Sequence, residues 1–249
     1  MKRKIITLIF SILILTCQGQ NQKYMEKASS LKKKHHYEKA ILVINRGLEQ
    51  DSLLLKAYIL RADCFIGLGQ YEKALKDINF CIQKDSNDAA FYSERGYLYA
   101  VKDEPAKSLM DYSKAIALDS TVVKPYIGRG AVYFNMDELE KALTDFNTAL
   151  NMQKDNNALY YDIGLVYKEK GAYINAIIQF TGSLRLKPGE PLVYYARAQS
   201  FQAMGHYKEA IKDFRKTLRY YGRLRPWEIT ETKSEIRQDI KDCKNMINY

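Results

Sequence analysis

Tyr126–Met152 reads YIGRGAVYFNMDELEKALTDFNTALNM, and its pattern of aromatic, small and bulky residues is written six times along the chain at an interval of 34 residues. The opening aromatic recurs as Tyr24, Tyr58, Tyr92, Tyr126, Tyr160 and Tyr194. Four places on stands a small residue: Ala28, Ala62, Gly96, Gly130, Gly164 and Ala198. A bulky residue follows at Leu31, Phe65, Tyr99, Tyr133, Tyr167 and Phe201. In the second half, Ala40, Ala74, Ser108, Ala142, Ala176 and Ala210 precede the large column Ile44, Ile78, Tyr112, Phe146, Phe180 and Phe214. No insertion or deletion breaks the register. A fixed period of this length marks an array of like units, not a globule built round one pocket.

Spacings of three and four within each half are helical. Turn signals such as Gly69-Gln70-Tyr71, Asp103-Glu104-Pro105 and Gly171-Ala172-Tyr173 split the units, and Asp51-Ser52, Asp85-Ser86 or Asp119-Ser120 closes them. Each unit therefore reads as two antiparallel helices of about three to four turns. Small residues stand where backbones come close and large ones fill the space beside them. One such pair cannot bury its own apolar faces, so neighbours must stack.

These columns resemble the tetratricopeptide repeat, over roughly residues 21–221. The usual leucine is replaced by Arg61, Arg95, Arg129 and Arg197, and only Pro188 keeps the closing proline. The resemblance implies an all-α fold: an α-α solenoid, coiled as a right-handed superhelix of six helical hairpins. The expected units are 21–54, 55–88, 89–122, 123–156, 157–190 and 191–222, with a capping helix over 223–249.

The first twenty residues, MKRKIITLIFSILILTCQGQ, place three cations before an apolar run, the shape of a secretory signal. Two processing routes stay open. Ile14-Leu15-Thr16-Cys17 resembles a bacterial lipobox, with Cys17 lipidated and tethering the protein to a membrane, although Thr16 is unusual before that cysteine. Ordinary cleavage ahead of Gln20 would release a soluble product. Both routes, and a third in which the leader stays on as an uncleaved anchor, put the repeats outside the cytoplasm, in the periplasm or on a bacterial envelope membrane.

The net charge is +10, of which Lys2, Arg3 and Lys4 supply three, and the remaining cations are spread over all units. With no reader motif among them, they read as a solvated surface and not as a nucleic-acid face. Cys64 and Cys81 occupy apolar columns, which favours buried thiols over a bridge that an oxidising compartment would permit. His35, His36 and His206 fall in turns. No spacing suits a metal, no cofactor motif appears, and no nucleophile–base set stands out, so neither an enzyme nor a small-molecule substrate is expected.

Arg61, Arg95, Arg129 and Arg197 fall on a face that packs on neighbouring helices, where a guanidinium needs a partner. Sixteen residues after each stands Asp77, Asp111, Asp145 or Asp213. The two units that lack the arginine, at Lys27 and Ile163, have Val43 and Gln179 instead of the aspartate. Four structural ion pairs follow, Arg61–Asp77, Arg95–Asp111, Arg129–Asp145 and Arg197–Asp213.

A second stripe runs along the first helices: Ile59 and Asp63; Ser93 and Tyr97; Lys124, Ile127 and Phe134; Tyr161, Leu165 and Lys168; Tyr195 and Gln199. In a tetratricopeptide superhelix the corresponding stripe lines the concave groove. Aromatic-lined concave surfaces suit an extended or helical peptide, while a bland alternative has these side chains touching only one another. The lysine, asparagine and arginine clamp with which some family members hold a C-terminal carboxylate is absent. The chain thus reads as a protein-interaction module whose partner is another protein or a peptide. The competing reading is a subunit of an envelope assembly that uses its outer faces. In the tail, Thr232-Lys233-Ser234-Glu235 reads as a capping box for a last helix whose apolar stripe is Ile236, Ile240, Cys243 and Ile247, with Trp227 anchoring the connection.

Overall fold

The computed structural model describes residues 20–224 and 232–247; the leader with Cys17, and Trp227, lie outside the described residues. The described chain is all helical. After α1, over residues 20–33, come α2 (Tyr37–Gln50), α3 (Leu55–Gly67), α4 (Tyr71–Lys84), α5 (Ala89–Val101) and α6 (Pro105–Leu118). Then follow α7 (Val123–Asn135), α8 (Leu139–Met152), α9 (Asn157–Glu169), α10 (Tyr173–Leu186), α11 (Pro191–Ala203), α12 (Tyr207–Tyr220) and α13 (Lys233–Ile247). Two compact units emerge: Met1–Thr121, holding α1–α6, and Val122–Tyr249, holding α7–α13. Within each unit consecutive helices pack against one another, odd with even into hairpins and hairpin against hairpin.

The turn inside every hairpin is closed in the same way. Residues 35, 69, 103, 137, 171 and 205 all have positive φ; three are glycines, but His35 (59°), Asp103 (58°) and Asp137 (61°) carry a side chain there. Such residues end a helix in the left-handed conformation. The next amide then reaches back five residues: Gln70 N donates to Phe65 O at 2.8 Å, Glu138 N to Tyr133 O at 2.9 Å, and His206 N to Phe201 O at 2.9 Å. Between hairpins, an aspartate folds the connection by accepting from the amide two places on: Asp51 from Leu53 at 3.0 Å, Asp85 from Asn87 at 2.9 Å, Asp119 from Thr121 at 2.9 Å. Asp88 and Asn156 cap α5 and α9 through side-chain oxygens, and Pro105 and Pro191 start α6 and α11.

The core is the small-against-large contact that the columns encode. Ala28 with Ile44, Ala62 with Ile78, and Ala198 with Phe214 are all buried. Where the small residue is glycine, an aromatic ring lies directly against the backbone. A Cβ added at Gly96 would meet Tyr112 at 3.0 Å, one at Gly130 would meet Phe146 at 2.8 Å, and one at Gly164 would meet Phe180 at 2.5 Å. Cys64, Cys81 and Cys243 are free and buried. Burial pushes the Cys64 and Cys81 thiols up, to about 11 and about 12, as expected of small apolar fillers.

The last helix begins as its sequence predicts. Thr232 N donates to Glu235 Oε2 at 2.5 Å, and Glu235 N to Thr232 Oγ1 at 3.3 Å. Ile236 and Cys243 are buried with Ala198, Ala210 and Phe214, so α13 covers the exposed flank of the sixth hairpin. Ile247 departs from the expected stripe: it is 41 % exposed, at the end of α13.

Gly164→Ala isolates the small-against-large contact. The Phe180 ring it would strike has no exposed surface and little room to retreat. Helix propensity favours alanine by about 1 kcal/mol, whereas overpacking costs about 1–3 kcal/mol. Urea denaturation should give a lower midpoint for Gly164→Ala at unchanged slope, with stability recovered when Phe180→Leu is added.

Candidate functional site

Two rows of side chains compete for a functional reading, and the geometry separates them. The arginine row is internal. Arg61 Nε lies 2.7 Å from Asp77 Oδ2 and Nη2 lies 2.8 Å from Oδ1, a two-pronged pair. Arg95 and Asp111 (2.7 and 2.8 Å), Arg129 and Asp145 (both 2.8 Å), and Arg197 and Asp213 (2.7 and 3.1 Å) repeat it. The aspartates are buried. The hydrogen bond to the carboxylate raises the pKa of Arg61, Arg95 and Arg129 against the opposing cost of burial. The guanidinium of Arg61 also lies 5.0 Å from the centroid of Tyr58, and that of Arg197 lies 5.8 Å from Tyr194.

A third bond from this row was not visible in the sequence reading. Arg61 Nη1 donates to Asn45 Oδ1 at 2.7 Å, Arg95 Nη1 to Asn79 Oδ1 at 2.7 Å, and Arg197 Nη1 to Thr181 Oγ1 at 2.9 Å. Each acceptor sits on the second helix of the preceding hairpin. The arginine therefore ties its own hairpin together and also ties that hairpin to its neighbour. The signal was present as a short polar column, Asn45, Asn79, Ser113, Asn147 and Thr181, sixteen residues before the arginine column.

The stripe proposed for partners is less open than an unpacked surface. In the first unit Asp63 accepts from Lys32 Nζ at 2.5 Å, Ile59 packs on Ala62 and Ile78, Ser93 is buried, and Tyr97 stands 43 % exposed. In the second unit Lys124 is exposed, while Ile127 and Phe134 are half-buried against the core of Phe146 and Ile163. Tyr161 and Leu165 pack beside Phe180, and Lys168 Nζ donates to Gln199 Oε1 at 2.9 Å. The Tyr195 ring is 5.6 Å from Phe214, and its hydroxyl is 3.5 Å from Asp239 Oδ2 of α13, so the chain's own last helix engages that side chain. Adjacent first helices run side by side and meet at a separation of 31 residues, as in Lys32–Asp63 and Lys168–Gln199.

Asp162, next to Tyr161 on α9, falls in the column Glu26, Leu60, Glu94, Gly128, Asp162 and Ala196, in which an acid alternates with an apolar or small residue. Burial alone pushes its carboxyl up to about 6. No hydrogen bond or ion pair to it is found among the described residues. Among these residues no three His, Cys, Asp or Glu side chains gather as metal ligands, and no helix is long and apolar enough to cross a membrane.

Comparison with known proteins places these features. Family models of the tetratricopeptide repeat match residues 55–88, 123–156 and 158–190, and again 191–223, together more than half of the chain. No curated protein sequence matches. Among solved structures, MamA aligns with a TM-score of 0.60 at 24 % identity, covering 65 % of this chain and 95 % of its own. PilF of Pseudomonas aeruginosa aligns at 0.75 and 12 % identity, covering 92 % and 99 %. The Cut9–Hcn1 hetero-tetramer of the APC/C aligns at 0.77 and 16 % identity, covering 96 % of this chain and 46 % of that one. At these identities the likeness is one of fold.

Two measurements follow. Arg197→Met leaves buried Asp213 without its guanidinium and with only Lys216 Nζ at 4.0 Å, and breaking such a pair costs about 3–5 kcal/mol. Arg197→Met with Asp213→Leu should recover most of that loss in chemical denaturation. The second concerns pH. An unfolded aspartate ionises near 3.8 and Asp162 near 6, so the unfolded chain gains charge first and stability falls as pH rises between those values. Asp162→Asn should remove that fall and raise stability at pH 7 by about 1 kcal/mol.

Proposed function

Because the chain belongs to the tetratricopeptide repeat family, whose fold is in general a protein-interaction scaffold, we propose that it is a non-enzymatic binding module of a bacterial cell envelope. It holds a peptide segment or protein surface along the stripe of its first helices. The observation that carries this reading is the stripe's composition: Tyr97 stands 43 % exposed, and Ile127, Phe134, Tyr161 and Leu165 remain only half-buried. Side chains of that kind give area and anchoring at low entropic cost. The extracytoplasmic address rests on the leader and the lipobox-like Cys17, which would tether the module to a membrane.

A second reading has its own observation. Leu42 (64 % exposed), Met110 (62 %), Ile174 and Ile178 (both 61 %) stand on outer faces of second helices, as the contact surface of a fixed subunit would require. The two readings differ in where a partner touches. With a photo-reactive phenylalanine at position 97 or at position 178 in cells, the binding-module reading expects a crosslinked protein from position 97. Crosslinks from position 178 alone would instead favour the subunit.

A further inference from the structure

We infer that the outward edge of α12 docks an acidic amphipathic helix of another protein, its carboxylates along Lys208, Lys212, Arg215 and Arg219 and its aliphatic side chains on Ile174 and Ile178 of α10. This gives a ligand chemistry to the outer face of the second helices and rests on that face, not on the inner stripe.

Positions 208, 212, 215 and 219 follow 4-3-4 spacing, which lines them along one edge of α12 over about 16 Å. All four are exposed cations. In the second helices of the other five hairpins the same column holds at most one cation, Lys76 on α4 or Arg185 on α10. Elsewhere lysines find acids: Lys102 is paired with Glu72, Lys107 with Glu104 and Lys170 with Glu140. No carboxylate among the described residues pairs with any of the four on α12. Asp213 on the same helix is buried and held by Arg197, and Glu209 is its one exposed acid. Like charges four apart repel across about 5–6 Å, as in Lys208–Lys212 and Arg215–Arg219. Lys208 also stands in the first turn, where the helix dipole disfavours a cation. An anionic partner relieves both costs.

Beside this edge the surface is apolar. Ile174 and Ile178 occupy the same column on α10, 34 residues back, and each is 61 % exposed. The guanidinium of Arg197 holds the two helices side by side, donating to Thr181 of α10 at 2.9 Å and to Asp213 of α12 at 2.7 Å. A cationic edge thus runs next to an aliphatic one. A helix with acids on one edge and aliphatic residues on the next matches both, and arginine forks suit its carboxylates.

A lipid surface fits less well. The apolar side of α12 faces the core, with Ala210, Ile211 and Phe214 buried, so no face is left to lie in a bilayer interface. The charge is also one helix wide, since the α8 column beyond α10 carries no cation. Two copies of the chain, each at +10, repel.

The test measures binding of two helical peptides of one composition to the full chain at physiological salt. One sets glutamates at 4-3-4 spacing with leucines along the adjoining edge; the other scatters the same residues round the helix. The spaced peptide should bind at least tenfold tighter. Lys212→Glu with Arg215→Glu should remove that advantage and, by easing repulsion within α12, melt no lower than the parent. Lys212→Gln with Arg215→Gln, which adds no new charge, should remove it too. Lys76→Glu with Lys114→Glu, an equal change of charge in the other unit, should leave it intact. Equal affinity for the two peptides, no binding of either, or an advantage that survives the changes on α12 would overturn the docking edge. So would self-association of the parent through α12, or binding to phosphatidylglycerol vesicles with no preference between the peptides. Crosslinks from positions 97 and 178 report separately on the two readings of function, so the failures are distinguishable.

Discussion

Everything in this protein depends on two helix backbones being allowed to come close at one point in each hairpin. The small column on the first helix and the large column on the second meet sixteen residues apart, and both members are buried in the described hairpins. The contact is tightest where glycine faces a ring, at Gly164 and Phe180, because the ring then lies on bare backbone. Such a contact fixes the crossing of the pair but leaves each helix with another apolar face uncovered. Stacking is the consequence, and within each unit the hairpins cover one another until α13 closes the last.

The arginine row adds direction to that stack. A guanidinium that holds Asp77 on its own hairpin and Asn45 on the preceding one cannot be satisfied if the two hairpins slide. At Ile163 the chain uses the other solution, an apolar side chain with no exposed surface, which spares the desolvation of two charges. Asn147, in the column of acceptors, then stands exposed beside a position that no longer donates. The fifth hairpin is thus held to the fourth by apolar packing through Leu159, Ile163 and Val166. It is also where the half-buried Asp162 sits.

Much of this was legible in the chain because a period multiplies every weak signal by six. The hairpins and the pairing of Arg with Asp could be read from columns, and the capping box at Thr232 and Glu235 from a local motif. Features with neither a paired column nor a motif were lost. Asp162 shares its column with Glu26 and Glu94, but Leu60, Gly128 and Ala196 fill it in the other units and no basic column marches with it, so it names no paired residue. The left-handed turn residues were hidden at His35 and Asp137, where the Gly69 equivalent is not glycine. The stripe stayed open between a groove and side chains touching one another, since a helical wheel shows direction but not that Tyr195 meets α13 or that Lys168 meets Gln199.

Function in such an array is distributed, so its parts must hold their places before any surface can select a partner. Paired helices locked by a backbone-to-ring contact must open together, whereas helices that merely lie side by side open one at a time. Native-state hydrogen exchange across α9 and α10 tests this most directly. The account predicts one shared opening free energy for the slowest amides of both helices. Separate, unequal openings of α9 and α10 would contradict it.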